Sequence, residues 1–140
     1  MTDPLRLILM RHAKSSWSSD SPTDHGRPLN ARGPRAAPRI GLRLLSMGWR
    51  PELVISSDAM RAERTAAGLF HGVPEPPPTE LLPDFYLAGI DEIRDRLVQP
   101  ETPRFIMVIG HNPGWEDAVS WLCGRHERMT TANAALLQCP

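Results

Sequence analysis

The chain is poor in the features that would place it in a nucleic-acid-binding, membrane or disulfide-rich class. Its 16 Lys+Arg balance 16 Asp+Glu over 140 residues, so no global basic field exists to hold nucleic acid or an acidic membrane surface, and there is no acidic tail. Any anion site must be local. Lysine is almost missing: Lys14 stands beside 15 arginines, so an arginine as such says little and its position must carry the argument. Cysteine is scarce too, with Cys123 and Cys139 alone, without a second pair to complete a zinc-spaced set and with no secretory signal before the first apolar run. Free thiols and a cytoplasmic location are expected. No apolar run approaches the roughly 20 residues needed to cross a bilayer, so a soluble chain without a membrane partner is expected. The length suits one domain over residues 1–140.

Against that background two apolar runs end alike. Leu5-Arg6-Leu7-Ile8-Leu9-Met10 leads into Arg11-His12, and Phe105-Ile106-Met107-Val108-Ile109-Gly110 leads into His111. Each has the length and branched content of a buried strand. The carboxyl ends of parallel strands share one edge of an open α/β sheet, where such folds place their ligands, so two residues far apart in sequence are expected to meet there.

The order between these runs alternates. A polar, turn-rich stretch from Ala13 to Pro28 reads as a long loop at the candidate edge, and a loop of that length in a compact domain suggests work at a site. Asn30 is a candidate N-cap for a helix from about 31 to 47, with Ile40, Leu44 and Leu45 on one face, Pro38 as an expected kink and Gly48 as the stop. Leu53 to Ser57 reads as a strand and Asp58 to Phe70 as a helix directly after it. The prolines of 74–78 form an extended connection, Glu80 to Leu82 a short strand and Ile90 to Val98 a helix. A helix from Trp115 to Cys123 and a last strand from Ala134 to Gln138 complete the series. This order predicts an α/β fold, a three-layer αβα sandwich on a mainly parallel open sheet. The chain stops directly after a strand-like run, which leads to the expectation of an incomplete C-terminus.

At the common edge the expected residues are Arg11, His12, Arg61 and His111. Two guanidiniums, two imidazoles and a helix N-terminus make an anion pocket, because arginine forks match phosphate oxygens. A neutral imidazole is a competent nucleophile, so one histidine can take a phosphoryl group while the cations hold its oxygens, without metal or other cofactor.

The residues also carry a resemblance. Leu9-Met10-Arg11-His12-Ala13-Lys14-Ser15 resembles the Arg-His-Gly signature of the histidine phosphatase superfamily, whose fold is that of phosphoglycerate mutase. Arg27-Pro28-Leu29-Asn30-Ala31-Arg32-Gly33 resembles its segment entering the first helix. Ser56-Ser57-Asp58-Ala59-Met60-Arg61-Ala62-Glu63-Arg64-Thr65-Ala66 resembles its Ser-Ser-Pro…Arg-Ala…Thr-Ala corner, and Val108 to Pro113 its second-histidine strand. The run Arg11 to Trp17 is most similar to the small bacterial phosphohistidine phosphatases of that superfamily. The resemblance implies that His12 becomes phosphorylated and that Arg11, Arg61 and His111 complete the phosphate pocket. Ala13 replaces the signature glycine, and Asp58 replaces a proline, where it can cap the following helix.

Asp84, with Glu80 behind it, is the candidate general acid, while Ser15, Ser18 and Arg27 are candidate substrate contacts. The expected partner is a phosphorylated protein or a small phosphate-bearing molecule. Three rivals stand beside this reading: a zinc hydrolase using His12, Asp58 and His111, a phospho-binding module without turnover, and a mutase, which the short chain disfavours. His71 and His126 read as surface residues, and the four tryptophans as packing residues, Trp17 the least clearly.

Overall fold

A computed structural model describes residues 3–16, 23–30 and 33–139. Five strands form one sheet in the order β3-β2-β4-β1-β5, with β1 at Leu5–Arg11, β2 at Leu53–Ser57, β3 at Thr79–Leu82, β4 at Phe105–Gly110 and β5 at Ala134–Cys139. The β1–β4, β2–β4 and β2–β3 pairs are parallel, whereas β5 runs antiparallel to β1 at the sheet edge. The mainly parallel sheet expected from the alternating order is present, with one reversed edge strand.

Consecutive apolar residues in β1 follow from burial on both faces. Ile8, Leu9 and Met10 are all 0% exposed, so no polar alternation is required. Ile8 and Met10 join Val54, Met107 and Ile109 in one core with Ala37 and Leu44 of α1 (Gly33–Ser46) and Ala62, Ala66 and Leu69 of α2 (Met60–Leu69). Leu9, Ile55, Ile106 and Val108 point the other way. They pack on Ile93 of α3 (Ile90–Leu97), on Trp115, Ala118 and Val119 of α4 (Gly114–Cys123), and on Phe85. The result is the αβα sandwich that the alternating order predicts.

Helix α1 passes through Pro38 without ending there. The missing N–H removes one hydrogen bond, to residue 34 in the opening turn, while Ala37 and Leu44 keep the helix docked on the sheet. It stops at Gly48, whose φ of 76° lets the Trp49 N–H turn back to the Leu44 carbonyl at 2.8 Å. The expected cap at Asn30 adjoins residues 31 and 32, outside the described set. Asn30 itself donates its backbone N–H to the Lys14 carbonyl at 2.9 Å. At Gly41 a Cβ would lie 1.7 Å from the Leu69 carbonyl oxygen, so α1 and α2 approach at a distance only glycine permits.

Two expectations need correction. Trp121 is 72% exposed, because six residues beyond the buried Trp115, about one and two-thirds turns, bring it to the outer face of α4. Asp58 does not cap α2: Ala59 holds the cap position with no side-chain bond, and the Met60 N–H goes to the His25 carbonyl at 2.9 Å. The Asp58 carboxylate instead meets His25 Nε2 at 2.8 Å. Among the described residues no helix is long and apolar enough to cross a membrane.

Candidate active site

Register brings the two histidines together. Arg11 pairs with Gly110 across β1 and β4, so the next residues, His12 and His111, leave the same edge side by side, with ring centroids 5.1 Å apart. The backbone there is held firmly: His12 N–H donates to the Gly110 carbonyl at 3.0 Å, and the His12 carbonyl accepts from Ala132 at 3.1 Å. Ala13 N–H donates to Thr65 Oγ1 at 3.0 Å, and that hydroxyl donates to the Arg61 carbonyl at 2.7 Å, so α2 clamps the residue after the histidine. Among the described residues, positive φ at a non-glycine occurs at Glu75, Leu87, Glu101 and Ala132; Ala13 is not one of them, and alanine serves there without strain.

Hydrogen bonding assigns the ring protons. His12 is 5% exposed and its Nδ1 lies 2.7 Å from the Ala13 carbonyl, which only accepts; Nδ1 therefore carries the proton and Nε2 keeps a lone pair. Burial, reinforced by the guanidiniums of Arg61, Arg11 and Arg27 and partly opposed by the Ala13 bond, pushes its pKa down to about 4. It is uncharged at neutral pH.

His111 is arranged in the opposite sense. Its Nε2 lies 2.8 Å from Ser57 Oγ, which accepts from Ala59 N–H at 3.2 Å. We assign the Ser57 hydroxyl proton to the hydrogen bond with Nε2, which places the ring proton of His111 on Nδ1. Burial, then the neighbouring His12 and Arg61, push its pKa down to about 3.

Among the described residues, three buried side-chain nitrogens make no hydrogen bond: Arg11 Nε, Arg61 Nε and His111 Nδ1. Buried donors are seldom left unpaired, and all three belong to residues lining one cavity of about 420 Å³. His12, Ser15 and Arg27 line it as well, together with Lys14, Asn112, Thr130 and Thr131. A larger groove of about 620 Å³ lies at the amino-terminal end of β1, lined by Leu5, Leu7, Leu97, Leu122 and Leu137 among others. It touches neither histidine, so size does not mark the site; convergent donors do.

Of the sequence candidates, Arg11, His12, Arg61 and His111 meet in the cavity, and Ser15 and Arg27 line it while hydrogen-bonding each other through Oγ and Nη1. Ser18 lies outside the described residues, as does Trp17. Asp84 is exposed in a 3-10 turn at Pro83–Phe85 and does not line the cavity, since the turn directs Phe85 into the core and Asp84 away from it. Glu80 is engaged by Arg96, at 2.7 Å to Nε and 3.0 Å to Nη2, which holds its pKa low. Asp58 is turned to His25, and among the described residues no three potential metal ligands cluster.

Sequence reasoning missed Asp24 and Tyr86. The Asp24 carboxylate accepts from Tyr86 OH at 2.5 Å and from Arg61 Nη2 at 3.0 Å through Oδ2, and from Arg27 through Oδ1 at 3.2 Å. Its carbonyl accepts from Arg61 Nη1 at 2.7 Å. The Tyr86 bond, with those from Arg61 and Arg27, holds the carboxyl down at about 2 against the opposing effect of burial. The one local signal was an acid three residues before Arg27.

Residues 7–86 match the family model described as histidine phosphatase superfamily (branch 1). The chain belongs to that superfamily. It is 40% identical over 144 residues to an uncharacterised chloroplastic protein of Arabidopsis thaliana, covering 95% of this chain and 66% of that protein. A crystal structure from Agrobacterium tumefaciens, of a candidate phosphohistidine phosphatase SixA, superposes with a TM-score of 0.83 at 26% identity, over 97% of this chain and 92% of that one. The protein histidine phosphatase SixA complexed with tungstate shares the fold at a TM-score of 0.77 and 22% identity, over 96% of each chain.

Proposed function

We propose that the chain is a phosphatase that removes the phosphoryl group of phosphohistidine or of a small phosphate monoester through a phospho-His12 intermediate, without a metal. The observation that carries this reading is that His12, whose Nε2 keeps its lone pair, lines one cavity with Arg11, Arg61 and His111, each of which holds a buried, unpaired nitrogen. Uncharged His12 attacks phosphorus in line, the Nε2–P bond forms as the bond to the leaving nitrogen or oxygen breaks, and the donors offset charge on the equatorial oxygens. Water then cleaves the Nε2–P bond and releases inorganic phosphate. A phosphoramidate nitrogen can be protonated by solvent before it leaves, so a phosphohistidine substrate suits a cavity that Asp84 does not line. The reading includes one domain over 1–140 and a cytoplasmic location, which the exposed free Cys123 and Cys139 support.

Turnover of a phosphohistidine protein, a phosphoserine peptide and a sugar phosphate, each with and without a chelator, tests it. Hydrolysis that favours phosphohistidine and is unaffected by the chelator is expected. Binding without turnover of any substrate would make the chain a phospho-binding module, and chelator-abolished activity restored by zinc would make it a zinc hydrolase.

A further inference from the structure

Asp24 holds Arg61 the way a phosphoryl group would. Its carbonyl and carboxylate oxygens take Arg61 Nη1 and Nη2, and the other carboxylate oxygen takes Arg27. Planar guanidinium forks serve carboxylate and phosphate by the same geometry, so one anion on these nitrogens excludes another. The partners differ in freedom. The Arg61 side chain is 4% exposed and its carbonyl is tied to Thr65, whereas the Asp24 side chain is 45% exposed on a loop.

We propose that Asp24 is an internal competitor for the phosphoryl site: it yields Arg61 when substrate phosphoryl binds and takes it back as inorganic phosphate leaves. The proposal rests on the reading of this cavity as a phosphoryl site. It assigns Asp24 a purpose in turnover. With both histidines uncharged, Arg11, Lys14, Arg27 and Arg61 of the lining present four positive charges to a dianionic product. Such a site binds its product tightly unless another anion can replace it on the arginines. A carboxylate tethered on the adjoining loop is that anion at fixed local concentration, and it hands Arg61 a partner at each release.

The opposing arrangement keeps Asp24 on Arg61 throughout, as a positioning residue that aims Nε at the phosphoryl. The two arrangements differ in whether Asp24 leaves Arg61 when phosphate binds, and phosphate affinity is the first check. Inorganic phosphate is titrated calorimetrically into the full chain and into its Asp24→Asn and Asp24→Ala variants. Competition predicts about tenfold tighter phosphate in both variants, with an equal fall in the phosphate inhibition constant. Unchanged or weaker binding overturns the proposal.

Tyr86 is the only tyrosine, so ring-13Cζ labelling yields a single resonance that reports its bond to Asp24. Saturating phosphate should move that resonance in the wild type toward its position in Asp24→Ala, and leave it in place in Asp24→Ala. No movement in the wild type, or equal movement in both proteins, overturns the proposal even if an Asp24 variant folds poorly. Tyr86→Phe, which frees Asp24 of one donor, leaves the competitor in place and should change phosphate affinity by less than Asp24→Asn does. Failure of phosphate to bind any of these proteins would instead overturn the phosphoryl-site reading, and this proposal with it.

Discussion

His12 and His111 stand with ring centroids 5.1 Å apart, yet they are hydrogen-bonded through opposite nitrogens, Nδ1 to the Ala13 carbonyl in one and Nε2 to Ser57 Oγ in the other. One ring therefore keeps a free lone pair and the other a free N–H. Two identical side chains on neighbouring strand ends acquire different chemistry from the backbone and hydroxyl groups behind them. In the proposed mechanism His12 is the nucleophile of the pair and His111 the donor.

This division predicts unequal losses. His12→Ala should abolish covalent labelling by phosphorylated substrate and lower kcat by about a thousandfold or more. His111→Ala should keep labelling on His12 while lowering kcat by roughly a hundredfold, the scale of one lost transition-state donor. Rapid acid and alkaline quenching of labelled protein checks both, since a phosphohistidine is acid-labile and alkali-stable. Equal labelling of the His12→Ala variant would contradict the assignment.

Ser57 should matter although it does not line the cavity. Ser57→Ala removes the proton that His111 Nε2 accepts, and the buried lone pair is left unpaired at a cost of about 1–3 kcal/mol. The ring proton is then free to occupy either nitrogen, so kcat should fall roughly tenfold while a Ser57→Thr variant keeps most activity. Urea denaturation and steady-state kinetics on the three proteins read the two effects separately. Stability and kcat unchanged in Ser57→Ala would remove Ser57 from the site.

The depressed histidines also give stability a pH dependence of known sign. In the unfolded chain each titrates near 6.5, and in the fold near 4 for His12 and 3 for His111, so between these values the unfolded state binds more protons. Stability therefore rises with pH through that window and is lost as pH falls from about 6.5 toward 3. Asp24, held near 2 against an ordinary 3.8, adds a further loss below about pH 4, reduced by its exposure. Urea midpoints at pH 7, 5.5 and 4.5 should fall steadily in the wild type and less in a His12→Asn, His111→Asn double variant. A parallel fall in both proteins would show that these rings are not the source.

Much of this architecture was legible because β1 and β4 are buried on both faces and so read as unbroken apolar runs ending in histidine. The shared edge followed from parallel pairing, and the meeting of Arg11, His12, Arg61 and His111 followed from the edge. The reversal of β5 was not legible, since strand direction leaves no mark in an apolar run. Asp24 was hidden for a related reason: its partners Arg61 and Tyr86 come from other elements, and a polar loop offers many residues that look alike. Asp58 had a local role available as a helix cap, but the loop carbonyl of His25 already served that helix end and left the carboxylate to the His25 ring.

The last strand residue before His111 gives a stability test of the same edge. A Cβ on Gly110 would come within 2.5 Å of the Trp115 ring, which is fully buried under β4 and donates its Nε1–H to the Val108 carbonyl at 3.3 Å. Gly110→Ala must therefore displace the ring or the strand, at about 1–3 kcal/mol. Because His111 is the next residue, a displaced strand also carries its imidazole away from Ser57, and kcat should fall along with stability. Trp115→Leu alone leaves a cavity and should destabilise as well. Combined with Gly110→Ala it offers the new methyl the space it lacked, so the double variant should be more stable than the sum of the single losses by about 1 kcal/mol or more. Urea denaturation of the four proteins closes this cycle; strict additivity would mean that the glycine answers to backbone conformation and not to the tryptophan.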